Sequence, residues 1–443
     1  MKTRSHTGNV VNVVTLGCSK NLVDSENLIT QLRANDVNAG HELDQEAGII
    51  IINTCGFIEA AKQESIDTIL HYASQKKKGS IDKLYVTGCL SQRYRQELSR
   101  EIPEVDAFFG TLELPQILAK FNADYRHELL GDRICMTPSH YAYLKISEGC
   151  NRTCSFCSIP LMRGRHRSKS MEDIEQEARN LVRKGVKEII LIAQELTYYG
   201  LDLYRKRMLY DLLRRLTDIE SLEWIRLHYT YPSKFPREVI ELIGREEKIC
   251  RYLDVPLQHS DDEVLSRMKR QTTVNELVDL IDFAREMVPD IALRTTMLVG
   301  FPGETEDAFN RLCRFVEEIR FDRLGVFEYS HEEGTGAFKF EDDIPRDVKT
   351  RRAETLMEIQ KTISLEKNQK WIDRDMKVLI DRKEGNFYYG RTEFDSPEVD
   401  NEVIIDATTN YARIGDFVKV RIHDATEYDL YGATEKSWAG SSI

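Results

Sequence analysis

The first 120 residues repeat one pattern three times: a short apolar run rich in Val and Ile, a turn, and a stretch with apolar positions at helical spacing. The apolar runs are VVNVVTLGC, AGIIIINTC and DKLYVTGC. Apolar β-branched runs that alternate with helical patterns are typical of a parallel sheet flanked by helices. The pattern therefore predicts an α/β protein whose N-terminal domain, residues 9–122, holds an open parallel sheet.

Each of these three runs ends in a cysteine, namely Cys18, Cys55 and Cys89. In open α/β sheets, ligands bind beyond the carboxyl ends of the strands. We therefore expect the three thiols to reach the same edge of the sheet. The alternative is that they are core residues, because free cysteine is commonly buried.

A second series of alternating elements begins after a less regular segment, residues 123–140, which we interpret as a linker. Six apolar runs alternate with helical patterns in residues 141–371; they are YAYLKIS, EIILIAQ, WIRLHYT, RYLDVPL, ALRTTMLV and LGVFEYS. Six units are too few for a closed eight-fold barrel, so the sequence predicts a partial (βα)6 barrel. Its active site should lie at the carboxyl ends of the strands.

The pattern changes again in residues 372–437, after a long charged helical stretch. Short strands separated by turns follow one another, as in MKVLIDR, NFYYGRT and GDFVKVRIHDAT. Short strands at this spacing predict a small antiparallel β-barrel.

Composition narrows the class of protein. Of the 443 residues, 41% are hydrophobic and 31% are charged, which is typical of globular domains, and no apolar run approaches the roughly 18 residues of a membrane span. The net charge of −12 argues against general adhesion to nucleic acid. Nine cysteines without a recognisable signal peptide indicate the reducing cytoplasm, where spaced cysteines more often bind metals than form disulfides.

The segment EGCNRTCSFC places Cys150, Cys154 and Cys157 at C-x-x-x-C-x-x-C spacing just after the first predicted strand of the barrel. Two metal sites fit this spacing. A structural zinc ion would need a fourth ligand, for which His166 is the nearest candidate. An iron–sulfur cluster can be held by three thiolates, with one iron left open for a cofactor.

This motif, with an aromatic residue before its last cysteine and a six-unit barrel around it, resembles the radical S-adenosylmethionine superfamily. The resemblance implies a 4Fe–4S cluster on these three cysteines, with S-adenosylmethionine bound to the open iron as the source of a radical. It assigns no catalytic side chain but implies four cofactor-binding residues: Phe156, Gln194 and Glu195 in place of a Gly-Gly-Glu motif, and Gly300 in MLVGFPGET. A non-catalytic iron–sulfur carrier is the alternative, although carriers normally ligate their clusters with four cysteines.

Cys18, Cys55 and Cys89, together with the C-terminal barrel, narrow the resemblance to the methylthiotransferases, whose N-terminal domain holds a second 4Fe–4S cluster and whose last domain is called TRAM. One branch of that family modifies isopentenyladenosine in transfer RNA, with Gln-Met-Asn after the first cysteine. Ser19-Lys20-Asn21 in this chain is similar instead to the branch that modifies the β-carbon of an aspartate in the twelfth protein of the small ribosomal subunit.

The second branch implies that basic ribosomal protein as a partner, free or within the ribosomal subunit. It also implies an electron donor and allows a sulfur donor.

The charge of the C-terminal barrel gives a separate check on the substrate. Residues 376–436 contain eight Lys or Arg and thirteen Asp or Glu, a net charge of −5. RNA-binding domains are usually basic, so this charge favours a basic protein over transfer RNA as the substrate.

Overall fold

The computed structural model describes residues 10–43, 47–129 and 131–434. They form an N-terminal parallel sheet, a six-stranded partial barrel and a small closed barrel, as the sequence predicts. The domain boundaries stay a prediction, and residue 9 and residues 435–437 of the predicted domains lie outside the described residues. Among the described helices, none is both long and apolar enough to cross a lipid bilayer.

The N-terminal sheet is covered by helices on both faces. Its strands are β1 (Val11–Thr15), β2 (Ala39–His41), β3 (Ile49–Thr54), β4 (Lys83–Gly88) and β5 (Ala107–Phe108). All are parallel, in the order β2-β1-β3-β4-β5. The helices are α1 (Ser19–Ala34), α2 (Glu59–Lys77), α3 (Cys89–Glu101) and α4 (Leu114–Ala119). Ile50 and Ile52 belong to one apolar core and Ile51 to the other, because successive strand residues point to opposite faces.

The segment predicted as a linker contains, among its described residues 123–129 and 131–140, one short 3-10 helix (His127–Leu129) and no α-helix or strand. Arg133 is 1% exposed, and its guanidinium binds the carboxylates of Glu26 on α1 and Glu177 in the next domain, the latter at 2.8 Å. Burying a charge is costly unless it is paired. The linker therefore holds the first two domains together at a fixed point.

The central unit contains eight strands, six of which form the predicted barrel. The strands are β6 (Tyr141–Lys145), β7 (Ser147–Glu148), β8 (Arg167–Ser168), β9 (Glu188–Ile192), β10 (Trp224–Leu227), β11 (Tyr252–Asp254), β12 (Ala292–Val299) and β13 (Arg323–Glu328). β7 and β8 form a small antiparallel pair. The parallel ladders β6-β9-β10 and β11-β12-β13 are joined by a bridge between Ile225 and Ile249, which gives an open barrel.

The described part of the central unit contains seven α-helices, and all except the first contribute residues to the apolar core around the barrel strands. They are α5 (Ile159–Arg163), α6 (Met171–Arg183), α7 (Leu209–Thr217), α8 (Arg237–Arg245), α9 (Asp262–Arg267), α10 (Val274–Met287) and α11 (Glu306–Ile319). Their apolar positions follow helical spacing: on α7, Leu209, Leu212, Leu213 and Leu216 are all buried. Such one-sided helices bury their apolar faces against the strands and leave the barrel mouth to polar residues and cysteines.

The C-terminal unit follows α12 (Arg346–Gln369). Its strands are β14 (Asp375–Glu384), β15 (Phe387–Arg391), β16 (Val403–Asp406), β17 (Phe417–Ala425) and β18 (Leu430–Thr434), closed in the order β14-β15-β16-β18-β17. Four of the five pairs are antiparallel, as predicted, whereas β16 and β18 are parallel. They are two strands apart along an alternating chain and therefore run in the same direction.

The loop between β15 and β16 docks against the amino ends of the central barrel strands. Asp395 binds Arg323 with its Oδ1 at 3.0 Å from Nε, and Asp400 binds Arg294 with its Oδ1 at 3.2 Å from Nε. The side chains of both carboxylates are almost fully buried. The C-terminal barrel is therefore attached at the end of the central barrel opposite its mouth.

Candidate active site

Cys150, Cys154 and Cys157, here called the barrel cysteines, lie in the loop between β7 and α5 at the barrel mouth. The loop is closed by backbone hydrogen bonds from Cys150 N–H to the carbonyl of Gly164 (3.1 Å) and from Cys157 N–H to the carbonyl of Cys154 (3.2 Å). Gly149 has φ of +76°, and a Cβ there would collide with the carbonyl of Arg165. The backbone thus fixes all three thiols on one small loop.

Cys154 is near enough to Cys150 and Cys157 to raise the pKa of both. Burial is the larger effect and, together with the neighbouring thiols, raises the pKa of Cys150 to about 11 and that of Cys157 to about 12. Such thiols stay protonated at neutral pH and are poor nucleophiles. They become thiolates when a metal centre replaces the proton, so metal binding rather than nucleophilic catalysis is the chemistry that this loop favours.

Positive groups surround the barrel cysteines. Arg270 donates from Nη1 to Cys154 Sγ at 3.4 Å, and the Arg152 backbone N–H donates to Cys150 Sγ at 3.4 Å. The guanidiniums of Arg152 and Arg270 lie 3.7 Å and 4.1 Å from the centroid of the Tyr231 ring. Sequence reasoning missed these residues, although Arg152 stands inside the cysteine motif itself. They offset the negative charge that thiolates would bring.

The zinc hypothesis named His166 as the nearest candidate for a fourth ligand. His166 Nε2 lies 3.1 Å from Ser168 Oγ, and the imidazole ring packs edge-on against Tyr198. In the described part of the chain, no three His, Cys, Asp or Glu side chains converge closely enough to ligate one metal ion. His166 is thus hydrogen-bonded to Ser168, which accounts for the side chain that the zinc hypothesis would assign to the metal.

Cys18, Cys55 and Cys89, here called the N-terminal cysteines, follow β1, β3 and β4 at the carboxyl edge of the sheet, as predicted. Cys18 is exposed, whereas Cys55 and Cys89 are buried. Burial raises the pKa of Cys55 and raises that of Cys89 to about 11, and the Cys18 thiol adds to both shifts. The three thiols are therefore electrostatic neighbours, like the barrel cysteines.

Close backbone packing fixes the N-terminal cysteines. Gly17 has φ of +91°, and a Cβ there would lie 2.6 Å from Cys55 Cβ. The Asn21 side chain donates to the carbonyls of Leu16 (2.7 Å) and Thr54 (3.1 Å), and its Oδ1 accepts from Cys89 Sγ at 3.9 Å. One asparagine on α1 thereby ties together the segments that follow β1, β3 and β4.

Arg163 connects the two sets of cysteines. It ends α5, six residues after Cys157, and its side chain is 2% exposed. Its guanidinium donates to Asp24 Oδ2 at 2.6 Å and to Asn21 Oδ1, both on α1. Cys18 and Cys89 are among the groups that raise its pKa. A cation from the loop of the barrel cysteines therefore lies beside the N-terminal cysteines.

A second charged contact closes the same interface from the other side. Glu332, in the loop after β13, accepts from Arg93 Nη1 at 2.7 Å and from Lys62 Nζ at 3.1 Å. The Thr111 hydroxyl donates to the carbonyl of Met162 at 2.7 Å. The carboxyl edge of the N-terminal sheet thus faces the barrel mouth, with both sets of cysteines at this interface.

The residues predicted to bind S-adenosylmethionine lie around the barrel mouth in different settings. Gln194 Nε2 donates to Glu148 Oε1 at 2.7 Å. Glu195 is 2% exposed and binds Arg152 and the Thr197 hydroxyl.

Phe156 packs against an apolar cluster after β12, and Gly300, with φ of +72°, donates its N–H to Glu304 Oε2 at 2.7 Å. The Gln194 Oε1 atom is buried without a hydrogen-bond partner among the described residues, which leaves an acceptor for a bound group. The four cofactor roles stay predictions.

Comparisons with known proteins agree with this architecture. Residues 144–316 match the radical SAM superfamily, residues 10–110 match a family described as uncharacterized protein family UPF0004, and residues 372–434 match the TRAM domain. The fold resembles that of the methyltransferase TsrM from Kitasatospora setae, with a TM-score of 0.53 and 15% identity over 72% of this chain and 75% of that one. At this identity the likeness shows the fold alone.

Curated relatives are similar over nearly the whole chain. The protein named ribosomal protein uS12 methylthiotransferase RimO from Cytophaga hutchinsonii is 57% identical over 98% of this chain and 100% of its own length. Its namesakes from Flavobacterium psychrophilum and Bacteroides thetaiotaomicron are 56% and 51% identical, over 98% and 95% of this chain and 99% and 97% of theirs. With three matched domains in the same order, the chain belongs to the RimO family of radical S-adenosylmethionine methylthiotransferases.

Proposed function

We propose that this enzyme transfers a methylthio group to the β-carbon of an aspartate in ribosomal protein uS12, using S-adenosylmethionine and two 4Fe–4S clusters. One cluster would be held by the barrel cysteines and the other by the N-terminal cysteines. The observation that carries the proposal is that two three-thiol sets from different domains lie at one interface, spanned by Arg163.

The residues of both sites fit such clusters. Each site offers three free thiols, one for each of three irons of a 4Fe–4S cluster. At the barrel site, Arg270 and the Arg152 backbone N–H already point at sulfur atoms. Hydrogen bonds to cluster sulfurs are a normal feature of iron–sulfur sites. When bound, the clusters and S-adenosylmethionine would supply hydrogen abstraction and the methylthio group.

The chain's own residues have to position the substrate and exclude water. The β-carbon of an aspartate has no leaving group, so polar chemistry at that carbon is unattractive and a radical route is apt. Tyr231, with the guanidiniums of Arg152 and Arg270 packed against its ring, lies beside the barrel cysteines and limits the access of water to them. Arg163 and Glu332 hold the N-terminal sheet over the barrel mouth. Both sites would thereby face one substrate carbon from opposite sides.

The transfer-RNA alternative is not favoured, since the relatives described above are all named as uS12 methylthiotransferases at 51–57% identity. A ribosomal substrate fits the cytoplasm that the cysteine usage indicates. The reaction also requires an electron donor and a source of sulfur, which we propose as further partners.

The test is mass spectrometry of both candidate substrates. The enzyme is reconstituted anaerobically with iron and sulfide and incubated with S-adenosylmethionine, a reductant, and either uS12 or transfer RNA. We expect uS12 to gain one methylthio group in place of hydrogen on a single aspartate, with transfer RNA unchanged. Modified adenosine in transfer RNA together with unmodified uS12 would reverse the assignment.

A further inference from the structure

Lys20 carries a buried ammonium at the interface between the N-terminal sheet and the barrel mouth. It lies in the first turn of α1, two residues after Cys18, and only 7% of it is exposed. Among the described residues, no carboxylate lies within ion-pair distance of its Nζ, which instead lies over the ring of Tyr229, 2.9 Å from the centroid. An aromatic face compensates only part of the cost of burying a charge.

In the part of the chain that the structure describes, the neighbouring cations Lys145 and Arg163, unlike Lys20, are paired with carboxylates. Lys145 binds Glu148 at 2.6 Å and also binds Asp24, and Arg163 binds Asp24 at 2.6 Å. The carboxylates of this interface are thus already shared between two other cations. Lys20 is therefore a cation of this interface that has capacity for an incoming anion.

The position of Lys20 is fixed from both sides. Cys18 and Lys20 stand at the carboxyl end of β1, and Tyr229 follows the carboxyl end of β10 at the barrel mouth. Tyr229 is held with φ of +63°, its N–H donating to Asp254 Oδ2 at 2.9 Å and its carbonyl accepting from Leu196 N–H at 3.1 Å. The ammonium therefore lies between the N-terminal cysteines and the barrel mouth.

We propose that Lys20 binds the side-chain carboxylate of the aspartate that is modified. This inference rests on the proposed function and adds to it the residue that recognises the substrate. The carboxylate is bonded directly to the β-carbon. An ion pair with Lys20 would therefore fix the carboxylate, and with it the position of the β-carbon, close to the segment that holds Cys18. Asparagine, which has the same shape without the charge, would lose the ion pair.

The test is equilibrium binding of uS12 to the reconstituted enzyme without reductant, so that no turnover occurs. Two ligands are compared: uS12 and a variant whose target aspartate is replaced by Asn. Hydrogen bonds to charged groups contribute enough that we expect wild-type enzyme to bind the Asp form about ten- to a hundredfold more tightly. Lys20→Met should weaken binding of the Asp form by a similar factor and leave binding of the Asn form nearly unchanged.

The control is Lys120→Met, which removes one positive charge from an exposed position on the same domain. It should leave both affinities unchanged, and Lys20→Arg should retain part of the preference for Asp. Iron content and cleavage of S-adenosylmethionine report whether Lys20→Met is correctly assembled. The comparison of the two ligands on wild-type enzyme needs no variant at all.

Three results would overturn the inference. The first is equal affinity of wild-type enzyme for the Asp and Asn forms of uS12, and the second is equal weakening of both affinities by Lys20→Met. The third is a Lys20→Met variant that still prefers the Asp form while the spectrum of the N-terminal cluster shifts. The last result would mean that Lys20 acts on the cluster. If wild-type enzyme leaves uS12 unmodified, the proposed function fails and takes this inference with it. If uS12 is modified but the preference is absent, the inference alone fails.

Discussion

Replacing Arg163 by Gln tests whether the interface between the two cysteine sites depends on one guanidinium. Removing one partner of a buried ion pair costs about 3–5 kcal/mol when the other partner is left alone. Here Asp24 is 25% exposed and keeps Lys145, so the charge left behind is partly compensated. We therefore expect a cost of about 2–3 kcal/mol at the interface.

The assay is hydrogen exchange of the backbone amides of α1 and α5 in the intact enzyme. Local opening reflects local free energy, so this cost corresponds to exchange that is roughly 30- to 150-fold faster in these helices, with α7 and α8 unaffected. Arg179→Gln is the matched control, because Arg179 forms an exposed pair with Glu175 one helical turn away, worth about 0.3–0.5 kcal/mol.

The two activities of the enzyme should respond differently to Arg163→Gln. The barrel cysteines are untouched, so Arg163→Gln should still cleave S-adenosylmethionine, whereas methylthio transfer should fall because the two sites are no longer held together. Exchange in α1 and α5 no faster than in the Arg179→Gln control would refute the reasoning. So would an Arg163→Gln variant with full transfer activity.

Three further predictions concern the cysteines and one buried carboxyl. Replacing the barrel cysteines by Ala should leave one cluster by iron analysis and abolish cleavage of S-adenosylmethionine; retained cleavage would contradict their role. Replacing the N-terminal cysteines by Ala should preserve 5′-deoxyadenosine formation, measured by chromatography, and block methylthio transfer. Burial alone would raise the pKa of Glu177, but Lys169 and Arg133 outweigh burial and lower it to about 2. A lowered carboxyl pKa stabilises the fold above the unfolded value near 4.5, and this stability, at most about 3 kcal/mol, is lost as pH falls toward 2. Glu177→Gln should therefore flatten the fall in urea stability between pH 5 and pH 3.

The sequence predicted the strands that carry the cysteines because their signal is local. Each is a run of β-branched residues that ends in a turn, and all three predicted strands of the N-terminal sheet are present as β1, β3 and β4. The short edge strands β2 and β5 were not predicted. They have three and two residues, and Ala39-Gly40-His41 contains no β-branched side chain. Their pairing depends on the neighbouring strand rather than on their own pattern.

The contacts that assemble the candidate site are not local. Arg163 meets Asp24 across 139 residues, and Arg270 meets Cys154 across 116. A single sequence carries no periodic signal for such pairs. Motifs therefore indicated which residues could ligate a cluster, whereas the buried cations around the thiols became visible only in the fold.

The acidic C-terminal barrel shows how composition and surface can differ. Its net charge of −5 was interpreted as a surface for a basic partner. In the structure, part of that charge is paired with residues outside the C-terminal barrel: Asp395 and Asp400 bind Arg323 and Arg294, Asp381 lies 2.8 Å from His140 Nε2, and Asp416 binds Lys187 at 3.0 Å.

Each of these four carboxylates thus has a basic partner residue within the chain itself. Because paired charges cannot also attract a substrate at full strength, the net charge of the C-terminal barrel overstates its attraction for uS12. We therefore assign the choice of substrate to the interface near Lys20, as proposed above, rather than to the C-terminal barrel. Recognition of one carboxylate by one buried cation is also more selective than attraction between net charges, which any acidic surface offers to any basic protein.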